Sequence, residues 1–366
     1  MKAVFINAIS SKSGGGKYVI ENFIKTITNL KNDNFYVIAV PRKSDYLNLN
    51  NKKIKIIPLY IFSKQIFVPI SSIIVLPILI FINRCKYVVN FADIPILTFA
   101  KQSFYFDQAY ALDHRLYIPK IGNFHSKFVI FFKQFFYLSL LPFVDTLFVQ
   151  TSYISNRIKE SSCRKNIEVL PTPIVKHPSP KEFGKLKFKS NLLLFLSNFQ
   201  PHKNFDILIP LAKSIKKNKL PYKIITTINS SECFLAEKFL ENVYLENLEE
   251  VIINVGQIPL EKVNSLFSKV DALLLPTLME TYCIPYFEAM SMKKSILTSD
   301  LGFAREACGN AAYYFNPNSH KEILNKICLM YENKRLRNQK LLEGDNIYKN
   351  LINWKTFHKT IVDNFV

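Results

Sequence analysis

Short apolar runs recur along this chain, separated by stretches long enough to hold one helix each. Lys2–Ile9, Phe35–Val40, Ile54–Leu59, Tyr87–Asn90, Phe104–Asp107, Thr146–Thr151 and Ile167–Pro171 read as strands. A basic, proline-containing stretch, Val175–Lys189, interrupts the rhythm. It resumes with Leu192–Ser197, Lys223–Ile228, Val251–Val255, Ala272–Leu275, Ser295–Asp300 and Ala311–Phe315. Continuous apolar runs bounded by turn residues mark strands covered on both faces. Helical spacing fills several gaps: Lys17 to about Asn29, Ile284–Met292 and Phe303–Ala307. In the second of these, Ile284, Phe287 and Met290 share a face, and Pro285 suits the first turn, where no backbone donor is missed. The alternation predicts an α/β protein of two parallel-sheet domains, 1–174 and 175–345, followed by a helical tail, 346–366.

Two segments carry apolar residues beyond what a strand needs. No residue between Lys64 and Arg84 is charged. Pro69, Pro77, Ser71 and Ser72 argue against a membrane span, so the expectation is a helix of about a dozen residues buried against a sheet. Phe128–Phe143 is so rich in Phe and Leu that it must be core, interface or membrane-facing.

With 366 residues, 49% hydrophobic and 21% charged, the chain can bury two ordinary cores and is not disordered. Six scattered cysteines without a CxxC pair fit free thiols, and MKAVFINAIS reads as a strand rather than an export signal. A cytoplasmic setting is therefore expected. The formal charge of +20 suits nucleic acid, anionic lipid or phosphorylated substrates. No zinc-ligand spacing, RNP-like sequence or continuous basic helix points to nucleic acid. The cations lie in patches (Arg42 and Lys43; Lys52, Lys53 and Lys55; Lys213, Lys216, Lys217 and Lys219), which makes an anionic membrane surface the sharper expectation and plain solvation the rival.

Candidate chemistry gathers in residues 272–317. Glu280 falls in the loop after one strand, and Glu288 lies about a turn inside the next helix. A helix N-terminus facing the carboxyl end of a strand receives anions, while acids beside it accept from sugar or ribose hydroxyls. Lys203, just ahead of another helix, is placed to meet a diphosphate. The glycines of SSKSGGG (10–16) satisfy neither the P-loop nor the GxGxxG pattern, and a simple turn competes with ligand contact there. Asp107 ends a strand, and His114 follows in the next loop.

Glu280, seven residues, Glu288, then Ala289-Met290 resembles the hallmark of glycosyltransferase family 4, retaining enzymes of the GT-B fold. The block with Glu306, Gly309 and Pro317 is similar to that family's continuation. The resemblance implies two Rossmann-like parallel-sheet domains facing a cleft, the first on the acceptor side, the second binding the nucleotide sugar, and the tail crossing back. It implies Glu280, Lys203 and Asp107 as catalytic residues. Glu288, Gly15, Gly16, Asn198, Tyr282, Cys283, Ile284 and Arg305 would contact the donor. The implied donor is UDP- or GDP-linked, without metal or other cofactor; no Asp-x-Asp occurs. The implied acceptor is a saccharide, lipid-linked in lipopolysaccharide, O-antigen or capsule synthesis, on the inner face of the cytoplasmic membrane. Departures are equally specific. Cys283 and Lys293 stand where the family has glycine, Phe106 stands for a His, and Asn198 for an Arg that Arg305 would replace. The fold also hosts sugar-nucleotide epimerases, and a degraded site would leave a nucleotide-sugar-binding scaffold.

Overall fold

The apolar runs become two wholly parallel sheets. A computed structural model describes residues 2–12, 14–29, 34–41, 52–107, 124–161, 166–175 and 191–363. The first sheet holds β1 (Ala3–Asn7), β2 (Phe35–Val40), β3 (Ile54–Pro58), β4 (Tyr87–Asn90), β5 (Lys101–Phe106), β6 (Thr146–Val149) and β7 (Ile167–Val169), in the order β3-β2-β1-β4-β5-β6-β7. The second holds β8 (Leu192–Phe195), β9 (Lys223–Thr226), β10 (Ile252–Asn254), β11 (Ala272–Leu275), β12 (Ser295–Ser299) and β13 (Ala312–Phe315), in the order β10-β9-β8-β11-β12-β13. β8 and β11 are apolar at every position and buried throughout, as strands covered by helices on both faces must be.

The chain divides into two compact units, 1–173 with 352–366, and 174–351. Residues 346–351 thus stay with the second unit, and the tail that joins the first is the helix Trp354–Asp363. Phe357 and His358 hold it there: Phe357 packs edge-on to Phe23 and Tyr105, and His358 Nε2 lies 3.4 Å from the Tyr36 hydroxyl. Of the 175–189 stretch only Val175 is among the described residues; Arg42, Lys43 and His114 lie outside them.

Three elements differ from the sequence expectation. The first helix runs Gly14–Asn29, so the glycines are its opening turn rather than a loop before it; Gly14, at φ +61°, makes the entry. The uncharged stretch is not buried all round. It forms Val68–Ile70, a π turn Ser71–Val75 and Leu76–Ile82, with Val68, Leu76 and Ile80 buried but Ile66, Ile70, Ile74, Ile78, Phe81 and Ile82 exposed. The Phe-rich helix spans Phe124–Leu140 and continues as a 3-10 turn, Leu141–Phe143. Among the described residues no helix is long and apolar enough to cross a membrane.

Both glycine departures occupy left-handed backbone. Cys283, at φ +62°, precedes the helix Ile284–Ser291, and Lys293, at φ +50°, follows it. Lys293 closes that helix: its N–H donates to the Met290 carbonyl, and the Lys294 N–H donates to that of Ala289. The chain keeps the backbone shape that glycine favours and bears the side-chain strain of about 1–2 kcal/mol per residue. In return the exposed Lys293 offers only a minor share of the positive charge near Asp345, after Lys349. Lys293→Gly should therefore stabilise the fold by about 0.5–1 kcal/mol after the extra freedom of glycine in the unfolded chain is counted. Urea unfolding reads this as a higher midpoint at constant slope; a lower midpoint would show that the lysine side chain stabilises the turn.

Candidate functional site

The second sheet reverses direction between β8 and β11, since the chain leaves β8 for β9 and β10 on one side and returns to β11 on the other. Ligands of open parallel sheets collect beyond the carboxyl ends of the strands at such a point. Lys203 follows β8 and Glu280 follows β11, so both arrive there.

Their meeting depends on how the two loops are tied. Pro201–Lys203 form a 3-10 turn, and Asn204 then turns left-handed, at φ +62°. Asparagine is among the few side-chain-bearing residues that visit this conformation routinely. Its buried amide donates to the carbonyl of Pro276 at 3.1 Å and of Pro317 at 2.9 Å, joining the loops after β8, β11 and β13. The Leu278 N–H donates to the His202 carbonyl at 2.8 Å. Lys203 Nζ is thereby held 2.5 Å from Glu280 Oε1. The Thr277 hydroxyl has three acceptors in reach, at 2.9, 3.2 and 3.3 Å, and one proton to give; the nearest and charged one is Glu280 Oε1.

The two side chains are 17% and 10% exposed, so solvent screens the pair little. Burial works against the Lys203 charge, but the Glu280 carboxylate outweighs it and holds the lysine pKa above its ordinary value. Removing one partner would strand a largely buried charge at a cost of about 3–5 kcal/mol.

Glu288 is different. It lies on the helix Ile284–Ser291 and is 4% exposed, and no described residue donates to its carboxylate. Burial alone raises its pKa from 4.5 to about 7. Cys283 caps that helix with its backbone only, so the first N–H groups have no side-chain acceptor. The helix is braced by Tyr282, stacked on Phe287 at 4.4 Å, and by Tyr286, whose hydroxyl meets that of Thr298 at 2.6 Å. Thr298 donates in turn to the Leu275 carbonyl, 3.1 Å away at the end of β11. Ile284, half-buried, begins the helix. Burial pushes the Cys283 thiol well above its ordinary value, which makes it a poor nucleophile.

Arg305 is not brought to this cluster. Its guanidinium grips Asp300 at 2.6 and 2.8 Å and lies over the Tyr314 ring at 3.9 Å, on the surface. Asn198 lies partly buried beside Phe199, whose N–H is taken by Glu232 at 2.7 Å. In the first unit, Gly16, Asp107 and Ser11 come together: a Cβ on Gly16 would stand 3.6 Å from Asp107 Oδ2 and 3.7 Å from Ser11 Oγ. Gly15 shares that opening turn of the helix. Phe106 is wholly buried against Tyr137, so that position carries no proton chemistry. Among the described residues no three His, Cys, Asp or Glu side chains gather as metal ligands would.

Residues 179–341 match the family model described as "Glycosyl transferases group 1". That stretch is similar to a glycosyl transferase domain. The chain is 26% identical over 141 residues to the O-antigen chain mannosyltransferase RfbU of Salmonella typhimurium, a match that spans 38% of each protein. Among solved structures, sucrose-phosphate synthase from Thermosynechococcus elongatus superposes with a TM-score of 0.75 at 10% identity, over 100% of this chain and 98% of that one. Anabaena HepE in complex with UDP-glucose superposes with a TM-score of 0.69 at 12% identity, over 100% and 99%. The fold, two parallel-sheet α/β domains, is therefore of the GT-B type.

The unpartnered Glu288 ties stability to pH. Below about 4.5 the carboxyl is protonated folded or unfolded, and burial costs nothing; above about 7 it is charged in both states, and the folded one bears the whole penalty. The stability present at acid pH is thus lost as pH rises through about 7, by about 3 kcal/mol. Glu288→Gln should gain on the parent by that order between pH 5 and 8 in denaturant titrations. A constant difference across that range would mean that a donor inside the protein meets the carboxylate.

Proposed function

We propose that this chain transfers a glycosyl group from a UDP- or GDP-linked donor to a saccharide acceptor, with retention at the anomeric carbon, in building a surface polysaccharide. The observation that carries the reading is the Lys203–Glu280–Thr277 cluster at the switch point of the second sheet, beside the uncapped helix that bears Glu288. The bound ligand of HepE supports a nucleotide-sugar donor, and the activity named for RfbU supports an O-antigen or lipopolysaccharide acceptor, lipid-linked at the inner face of the cytoplasmic membrane.

Glycosyl transfer from such a donor breaks the bond between the anomeric carbon and the diphosphate, whose oxygen leaves with the electron pair. Its barrier is charge separation, which fixed cations and dipoles lower without reorganising. Lys203, held charged by Glu280, would meet the diphosphate together with the Ile284 N–H at the start of the helix Ile284–Ser291, since Pro285 has none and that of Tyr286 goes to the Cys283 carbonyl at 3.1 Å. Glu280 uses Oε1 for Lys203 and Thr277, which leaves Oε2 to orient sugar hydroxyls. Glu288 would accept from the ribose, whose hydroxyls supply the donors it lacks. Tyr282, Cys283 and Ile284 would line the donor's path at the helix start, with Asn198 on the facing loop. Neither glutamate need act as a covalent nucleophile.

Glu280→Ala and Lys203→Ala should each lower kcat at least about tenfold, the value of one charge-assisted contact made in the transition state, about 1.4 kcal/mol. Thermal unfolding of both variants shows whether the fold survives; wild-type kinetics in either would remove that residue from the site. Because Lys203 and the Ile284 N–H are assigned to the leaving group, excess EDTA should leave turnover unchanged. Loss of turnover restored by Mg²⁺ or Mn²⁺ would reassign that task to a metal ion.

A further inference from the structure

The first unit carries an apolar ridge that its own core does not use. Along the helical stretch 65–82 one side is buried: Val68, Leu76 and Ile80 pack inward, with Ser71 and Ser72. The other side repeats isoleucine every four residues, Ile66, Ile70, Ile74 and Ile78, and ends on Phe81 and Ile82. All six are exposed, Ile66 at 61% and Phe81 at 84%. A strict four-residue repeat drifts around a helix of 3.6 residues per turn. The π turn at Ser71–Val75 takes in an extra residue and offsets part of that drift, which keeps the isoleucines near one line.

The Phe-rich helix lies alongside. Val68, Ile94 and Leu140 form one cluster, with Ile73, Leu97 and Phe136 packed on it, so the two helices share a seam. Lys133, buried and paired with Asp93, fixes the orientation of the second helix. Phe131, Phe132, Phe135 and Leu138 are left outward, which widens the apolar surface. Isolated exposed apolar residues are ordinary, but a ridge whose exposed described residues from Ile66 to Ile82 are all apolar marks an interaction surface.

Charge selects the partner. From Tyr46 to Ala92 the sequence has no Asp or Glu. Lys52, Lys53, Lys55, Lys64, Arg84 and Lys86 flank the ridge in sequence, all exposed. Lys64 stays near it over the Tyr60 ring, and Lys55 reaches the far end at Asn83, 2.8 Å away. A second copy of the chain would bring the same cations face to face, whereas an anionic bilayer offers lipid tails to the ridge and phosphates to the lysines.

We propose that the 65–82 helical stretch, with the outward Phe131, Phe132, Phe135 and Leu138 beside it, is a lipid-inserting surface that seats the first unit on an anionic bilayer. The helices lie in the interface plane, the isoleucines and phenylalanines among the upper acyl chains and the lysines at the head groups. The transfer reading supplies the reason, a lipid-linked acceptor, but the docking itself does not depend on that chemistry.

Flotation on vesicles of phosphatidylcholine, with and without phosphatidylglycerol, tests it. The parent protein should float with the anionic vesicles at low salt and less as salt rises. The triple variant Ile70→Glu/Ile74→Glu/Ile78→Glu, which keeps good helix formers at exposed positions, should lose at least about tenfold in bound fraction with an unchanged melting midpoint. Ile74→Trp gives a second readout that leaves the surface apolar. Relative to the parent, its emission should shift to the blue on anionic vesicles and be quenched by brominated acyl chains. Unchanged flotation of the triple variant, or no quenching in Ile74→Trp, overturns the insertion. A dimer that the triple variant dissociates, with no flotation of the parent, gives the ridge to a second copy instead. Thermal shift with UDP- and GDP-sugars, measured without vesicles, tests the donor reading separately, so each can fail alone.

Discussion

The edge of the second sheet hangs on the amide of Asn204. One side chain supplies both donors needed by two carbonyls, Pro276 and Pro317, that come from loops far apart in sequence. Either carbonyl left unmet in that interior would cost about 1–3 kcal/mol. The left-handed turn at Asn204 also ends the short turn that carries Lys203, so the residue that joins the loops is the one that aims the lysine. Without that fixed aim, bringing Lys203 and Glu280 out of water would cost more than their attraction returns.

Two glutamates eight positions apart are thereby given opposite surroundings. Glu280 meets a cation and a hydroxyl on one oxygen. Glu288, about one turn inside the following helix, has no donor among the described residues, and burial raises its pKa to about 7. Acids that one pocket treats so differently suit different tasks. The first is held by a lysine and a hydroxyl; the second has none of these contacts. That contrast lies in the side chains around each acid and needs no assumption about which sugar arrives.

Much of this was legible in the chain, for definable reasons. β2, β4 and β11 begin and end where their apolar runs do, because a strand buried on both faces has no polar position to blur its bounds. Places beside strand ends and helix starts made Glu280, Glu288 and Lys203 candidates, but by place alone solvated side chains were the better reading, and their roles came from the family resemblance. Thr277 and the Asn204 clamp did not stand out, since their partners are set by how loops meet and not by spacing. The 64–84 stretch misled for a related reason. Absence of charge shows that a segment avoids water's company, yet not whether protein or another apolar phase covers it; only its packing showed one side bare. Arg305 meets a carboxylate that spacing did not single out: Asp300, five residues away, takes two of its five guanidinium N–H donors.

The departures from the family pattern carry the last step. Cys283 and Lys293 hold left-handed backbone at the two ends of the helix that bears Glu288, so the loss of glycine changes the strain there and not the path of the chain. Phe106 and Asn198 are of another kind: one is core, the other neutral, and each removes a polar or charged group from a site that the family pattern would equip with it. On the transfer reading, the positive charge at the leaving group then falls to Lys203 and to the helix dipole. A lysine with that task gains from Glu280, which keeps it protonated and points it, at the cost of part of its field. The donor must therefore bring enough negative charge to share the lysine with Glu280. A diphosphate does so and a neutral sugar does not, so on that reading the lysine suits a phosphorylated donor better than a free sugar.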